Sequence, residues 1–544
     1  MTRLRRPWMY LLASALFMGC QTPPQHPEQP DASTDAGQED AGQEDAGAAW
    51  DGSAATLEEV GDLPDTGRLS VCGIITDGGV SESCGDLGTF DLSRCDRDSL
   101  AAVTPGGHYN QTLRTESNGS QLGGNVIFSG DGGLGLLNGS PLTDVRQDER
   151  TLLFSERVTL ADGGTLRRSY VACESSGGSD FTGCYATCTN GRVTGRGSTF
   201  RATRLTWRAG ESESSGLQLV SERRVDLGWP VDVYVTKGHA YVVSIDNRNG
   251  AGTGGLSVFD VSDKSAPVLV KVVTLVGDSY WNGVWAKGDA LYVASDKRGV
   301  LLFDISEPAN PRFVRDLPGE AINAHTVFVD GDRLYSATTH GSGVLIFDIS
   351  TPTAPSLLNR YLAPTTHPYP YPHDVFARDG QLYVSHGYVG YVVADASNPS
   401  DIRTLGTYTF RNQYSHATAV GTFAGRTIAF EGGENADAHL RVLDITDPAR
   451  IVKIGEFRLR PDISIHNMVL VGSRLYIAWY QEGVRVLDVS NPTKPTQVAY
   501  FNTYRESDPG RSDFLDGASG IRVPGDGYVY AVDKSRGLLI LREQ

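Results

Sequence analysis

One phrase recurs six times in this 544-residue chain: Val-Phe-Asp-Val-Ser at 258–262, then Leu-Phe-Asp-Ile-Ser, Ile-Phe-Asp-Ile-Ser, Val-Ala-Asp-Ala-Ser, Val-Leu-Asp-Ile-Thr and Val-Leu-Asp-Val-Ser. Its aspartates, Asp260, Asp304, Asp348, Asp395, Asp444 and Asp488, stand 44, 44, 47, 49 and 44 residues apart. A unit of that length and of β-type composition is one small sheet that cannot bury both faces alone. Sheets of this size therefore pack on one another, and the period points to a propeller.

Around Asp304 the repeat reads as four short runs: Gly-Val-Trp-Ala-Lys-Gly-Asp, Ala-Leu-Tyr-Val-Ala-Ser, Gly-Val-Leu-Leu-Phe-Asp-Ile-Ser and, after Pro308 and Pro311, Arg-Phe-Val-Arg-Asp-Leu. β-branched and aromatic residues fill the runs, and Gly, Asp and Pro punctuate them. Tyr292, Tyr335, Tyr383 and Tyr476 mark the second run; Gly299, Gly343, Gly390 and Gly483 open the third. An Asp at the end of a strand, followed by Ser or Thr and then Pro, accepts backbone N–H bonds and holds the turn. The six aspartates are read as turn residues, not as a site.

The last repeat has Tyr530, Gly537 and Leu-Leu-Ile-Leu, and then the chain ends. Three strands are present and the fourth is expected from residues 217–227, upstream of the first repeat. Six repeats and this composite make seven blades, in a ring that leaves no free sheet edge between first and last. The Asp-(Val/Ile)-Ser phrase, preceded by Gly and Leu-Tyr-Val, resembles the LVIVD repeat of secreted and surface-anchored bacterial proteins. The resemblance covers residues 216–544 and implies a β-propeller; it implies no activity.

Upstream lie three further segments. Arg3, Arg5 and Arg6 precede an apolar run from Trp8 to Met18, too short for a permanent span and shaped like a signal peptide. It ends in Leu-Phe-Met-Gly-Cys, which resembles the lipobox of bacterial lipoproteins, with Phe17 where Leu is usual; the resemblance implies a signal peptide 1–20 and lipidation of Cys20. Residues 21–66 read as a disordered acidic tether, Asp-Ala-Gly-Gln-Glu-Asp repeats lacking large apolar side chains. Gln21 after the cysteine favours the outer membrane, periplasmic or surface-exposed. Residues 67–207 carry short alternating runs split by Gly- and Asn-rich turns and read as a small β-sandwich or barrel domain. All six remaining cysteines, Cys72, Cys84, Cys95, Cys173, Cys184 and Cys188, lie there. In an exported chain they imply up to three disulfides with 15 possible pairings. Zinc is the rival, disfavoured because no Cys-x-x-Cys pair is present.

A net charge of −17 argues against nucleic acid as partner, since phosphate binding needs a basic face. There is no Gly-x-Ser-x-Gly elbow, no His-Glu-x-x-His, no phosphate loop and no dinucleotide fingerprint. The Asp-Asn-Arg-Asn-Gly stretch at 246–250 fails calcium-loop spacing and reads as a turn.

One constellation has chemical content. Ten residues before the repeat tyrosines stand His325, His373 and His466, and the equivalent step in blade 5 gives His416; the other blades place Val231, Asn282 and Gly520 there. The position precedes the innermost strand, at the mouth of the axial channel, so four imidazoles from consecutive blades are expected to face one point. Imidazole nitrogens suit Fe, Cu, Zn or Ni. The arrangement resembles the four-histidine iron site of carotenoid oxygenases, without that family's motifs. Structural histidines copied by repeat duplication are the alternative. Trp229, Tyr280, Tyr371 and Tyr414 stand two residues earlier, and Tyr369 lies in the Pro-rich loop 364–372; they wall a pocket or seal gaps between blades. Two functions are therefore expected of the all-β chain. The first is a membrane-anchored binding or scaffold module for a protein or carbohydrate ligand. The alternative is a metal-dependent oxidoreductase or lyase using the four histidines.

Overall fold

The computed structural model describes residues 50–75, 79–104, 106–130, 133–195, 197–246, 253–341 and 343–544. The signal segment, Cys20, the tether up to residue 49 and most of the 246–250 turn lie outside the described residues.

The repeats fold into seven antiparallel sheets arranged in a ring. Blade 3 is typical, with strands Thr326–Asp330, Arg333–Thr338, Gly343–Asp348 and Ser356–Tyr361 from the axis outward. The inner strand of blade 1, Trp229–Thr236, neighbours both that of blade 2, Trp281–Lys287, and that of blade 7, Ala518–Arg522. Blade 7 takes its outer strand from Leu217–Arg223, which pairs antiparallel with Gly537–Glu543, as the sequence requires. The apolar clusters lie between blades: Tyr335, Val344 and Ile346 of blade 3 pack against Val375, Val384 and Val392 of blade 4. Each sheet therefore buries a face only because its neighbour exists.

The repeated phrase works as expected. Asp304 accepts from the backbone N–H of Ser306 at 2.8 Å, and Asp348 from Ser350 at 2.7 Å; the other four aspartates make the same bond. The glycine that opens the third strand has a steric reason. Gly343 has φ +78°, and a Cβ there would come 2.2 Å from the carbonyl oxygen of Tyr361 in the outer strand.

The cysteine-bearing domain forms one antiparallel sheet whose edges are Ser140–Pro141 and Asp144–Asp148. Only Leu142 and Thr143 join them, and their N–H groups bond Gly135 and Ser155 on the two edges. The sheet thus curls until its edges meet, enclosing Tyr109, Phe128, Phe154, Phe181 and Phe200. Of the sandwich and barrel left open by the sequence, it is barrel-like. The bridges are Cys72–Cys184, Cys84–Cys188 and Cys95–Cys173, tying the segment 72–95 to the barrel wall.

The tether differs from expectation. Residues 50–66 are not free: the N–H of Leu57 bonds Lys453 O on the outer strand of blade 5, and that of Asp62 bonds Arg411 O. Glu59 and Asp62 pair with Arg441, which is fully buried over the ring of Phe410. The reason is charge. Arg441 and Lys453 are buried in blade 5, and the acidic strap supplies the carboxylates they need. Burial pushes the Glu59 carboxyl up, but the Arg441 guanidinium beside it prevails and holds it down at about 2.

Candidate functional site

The four histidines meet. Each stands within two residues of the start of its blade's inner strand, where the backbone still turns a side chain toward the axis. Ring centroids lie 4.2 Å apart for His325–His373, 4.1 Å for His373–His416 and 4.4 Å for His416–His466, a continuous arc across blades 3 to 6. All four are buried, between 3% and 9% exposed. Burial holds the imidazoles neutral. His325 is pushed down to about 4, His466 to about 3, and His373 and His416 fall well below the usual histidine range.

Two residues that the repeat positions did not single out complete the site. The Oε2 of Glu434 lies 3.8 Å from His373 Nε2 and 3.6 Å from His416 Nε2, and its Oε1 lies 3.7 Å from His466 Nε2. Tyr480 donates its hydroxyl to Glu434 Oε1 and places its ring 4.5 Å from His466. Both residues follow directly on the second strand of their blades, Arg426–Gly433 and Arg474–Trp479. The same step in the other blades gives Asp246, Asp296, Thr339, His386 and Lys534. The mouth therefore carries a second ring in register with the first, and counting one residue past the second strand is the signal that finds it.

The four imidazoles are not equivalent. His466 Nδ1 lies 2.5 Å from Ser519 O, so its proton sits on Nδ1 and Nε2 presents a lone pair to the centre. His325 Nε2 meets the Asn282 amide at 3.2 Å, which occupies that nitrogen. His373 and His416 are different again: their Nδ1 atoms are buried without a hydrogen-bond partner, and their Nε2 atoms stand beyond hydrogen-bond reach of Glu434. Donor atoms about 2.1 Å from a single ion in tetrahedral array lie about 3.4 Å from one another. The 3.6–3.8 Å separations approach that spacing, and ligand atoms of His373, His416 and Glu434 all fall within 4.8 Å of each other.

The expected aromatic residues divide. Tyr371 and Tyr414 each lie 5.7 Å from His373, and Tyr414 touches Tyr388 at 5.0 Å. Trp229 lies on the far side of the mouth beneath Lys534 Nζ, 5.1 Å from its ring centre. His439, read as ordinary from the sequence, pairs instead with Asp62 of the strap at 3.3 Å.

The LVIVD repeat matches the chain at residues 230–274, 280–316, 323–363 and 466–503, that is, blades 1, 2, 3 and 6. Among solved structures, the chain is similar to the computationally designed Ika8 protein, at 11% identity over 73% of this chain and 95% of that one, with a TM-score of 0.39. It is similar also to the WD40 β-propeller domain of Doa1, at 11% identity over 61% and 98%, TM-score 0.45. The β-propeller domain of Cps50 (Swd1) from Myceliophteria thermophila gives 11% over 60% and 99%, TM-score 0.43. No protein of curated function matches. The chain thus carries LVIVD repeats at four of its blades and folds as a seven-bladed β-propeller.

Proposed function

We propose that this propeller is a metal-binding module of the cell envelope, holding one transition-metal ion at its channel mouth through His373, His416 and Glu434, with His466 beside them. One observation carries the reading. The Nε2 atoms of His373 and His416 converge on Oε2 of one carboxylate, 3.8 and 3.6 Å away, and ligand atoms of the three residues all lie within 4.8 Å of one another. An ion held there would take the Nε2 lone pair of each imidazole and a carboxylate oxygen of Glu434. His325 shields the set by packing on His373.

A site of two imidazoles and one carboxylate suits Fe, Cu, Zn or Ni and leaves positions for a ligand. The ion would supply Lewis-acid or redox activation of that ligand. The protein residues set the geometry: Tyr480 fixes one oxygen of Glu434, Ser519 fixes the tautomer of His466, and rigid strands fix the rest.

Metal analysis of the purified full chain tests this. One equivalent is expected after loading and dialysis, lost in His373→Ala and His416→Ala and retained in His325→Ala. Equal metal content in all four proteins overturns it. The envelope location rests on the three disulfides, which favour an oxidising compartment, and on the lipobox resemblance at Cys20. Release of Cys20→Ala from the membrane fraction checks the anchor; unchanged membrane association of that variant contradicts it.

A further inference from the structure

The acidic strap and the metal site meet in blade 5. We infer that the strap regulates the centre: Asp62 and Leu63 are positioning residues that hold the loop bearing Glu434, so that strap docking and metal binding are coupled; this rests on the metal reading above.

Blade 5 supplies two of the three ligands. His416 follows the loop 409–414, which leads from the outer strand of blade 4 into Ser415–Phe423. Glu434 opens the loop 434–439, between the strands Arg426–Gly433 and Leu440–Asp444. The two loops are joined where they approach the ligands, the N–H of Glu434 bonding Tyr414 O at 3.2 Å.

Three residues of the strap bind both loops. Toward His416, the N–H of Asp62 bonds Arg411 O at 3.1 Å, and Asn412 Nδ2 donates to Asp62 O at 2.8 Å. The approach is close: Gly61 has φ +78°, and a Cβ there would come 2.4 Å from Arg411 O. Toward Glu434, the N–H of Leu63 donates to Asp437 Oδ2 at 2.9 Å, in the middle of the loop, and Asp62 Oδ1 lies 3.3 Å from His439 Nδ1 at its end. At its start, a Cβ on Gly433, the residue before Glu434, would come 3.5 Å from Asp62 Oδ2. Asp62 and Leu63 are both buried.

These contacts bear on the ion through Asp437 and Arg441. Asp437 turns the loop at φ +61°, an uncommon conformation for a non-glycine residue, with Arg458 on its Oδ1 at 3.3 Å and the strap on its Oδ2. Arg441 begins the strand that leaves the loop and is paired with Glu59 at 3.0 Å and Asp62 at 2.6 Å. With the strap lifted, Asp437 loses that donor and Arg441 loses both strap carboxylates. The loop then keeps its ties to blade 6, from Asp437 N to Pro461 O at 2.5 Å and from Ile465 N to Ala438 O at 3.3 Å. A metal centre needs its donor atoms held to a fraction of an ångström, so a loosened loop costs affinity. Linkage is reciprocal: an ion on Glu434 holds the strap down by the same factor by which the strap strengthens the ion.

Two measurements on the full chain test this, with zinc as the probe. Asp62→Ala, which leaves Glu59 to pair with Arg441, should raise the zinc dissociation constant about tenfold or more at a stoichiometry of one, read by competition with a chromophoric chelator. Asp51→Ala, at the other end of the strap where the carboxylate bonds Ser53, should leave it unchanged. Hydrogen exchange of the unaltered chain reads the reverse direction and decides the matter where the variant does not fold. Saturating zinc should slow exchange of the Leu57, Asp62 and Leu63 amides about tenfold or more, and should leave unchanged Ser214 and Ser215, a second docked segment on the outer strand of blade 6. Wild-type affinity in folded Asp62→Ala, an equal loss in Asp51→Ala, or strap amides indifferent to bound zinc overturns the coupling while the metal reading stands. A chain that retains no zinc after loading and dialysis shows this in the metal assay, and then the metal reading falls and this inference with it.

Discussion

At the scale of the residue, the account turns on what holds Glu434. Its carboxylate is placed by Tyr480, whose backbone sits at φ +32°, an uncommon conformation for a non-glycine residue. Removing an outer-shell bond of this kind weakens metal binding about 10- to 100-fold. Tyr480→Phe, which keeps the ring against His466, should raise the dissociation constant for zinc by that factor with stoichiometry still one, as read by competition with a chromophoric chelator. Unchanged affinity would show that the tyrosine positions nothing. The histidine arc was legible in the sequence because repetition puts equivalent positions in one ring. Glu434 and Tyr480 stand at equivalent positions too, but those positions carry a different residue type in almost every blade, so no pattern of identity announced them.

At the scale of the element, the repeat phrase specifies a blade through sterics and turn chemistry more than through hydrophobicity. The opening glycine of the third strand faces the outer-strand carbonyl in several blades: Leu317 O at 2.2 Å for Gly299 and Phe501 O at 2.3 Å for Gly483. Gly343→Ala should therefore destabilise the protein by about 2 kcal/mol or more, combining left-handed strain with a backbone clash. Gly331→Ala, also left-handed but with open space around the new Cβ, should lose only about 1 kcal/mol. Urea midpoints of the two variants decide it, and equal losses would contradict the steric argument. The strap at 50–66 was not legible at this scale. Its composition resembles the acidic tether before it, and what orders it is a buried guanidinium almost 400 positions away in the chain. Likewise the six cysteines fixed the number of bridges, while their pairing waited on the curl of the barrel.

At the scale of the whole molecule, a ring closed by its own first strand gathers ionisable groups at a buried axis, and stability inherits their titration. His108, His325 and His386 are pushed down to about 4 and His466 to about 3, and His373 and His416 fall well below the usual histidine range, all chiefly by burial. Between those values and 6.5 the unfolded chain binds more protons than the fold, so this stability is present at neutral pH and is lost as pH falls. Seven carboxyls act oppositely and favour the fold on the acid side: Asp374 and Glu431 raised to about 7, Asp516 to about 6, and Asp232, Asp296, Asp330 and Asp437 pushed up by burial. The shifts of the six imidazoles are the larger in sum, at about 1.4 kcal/mol per pKa unit. The urea midpoint of the metal-free protein should thus fall by the equivalent of a few kcal/mol from pH 7 to pH 4; a midpoint that is flat or rises contradicts this.

The central claim is that the channel mouth is a metal centre, and the most direct measurement is anomalous diffraction at the zinc edge from crystals of the zinc-loaded full chain. The account predicts one anomalous peak per chain, about 2.0–2.2 Å from Nε2 of His373 and His416 and from a carboxylate oxygen of Glu434. A mouth with no peak, or a peak bound elsewhere while His373 and His416 hydrogen-bond within their own blades, would contradict it.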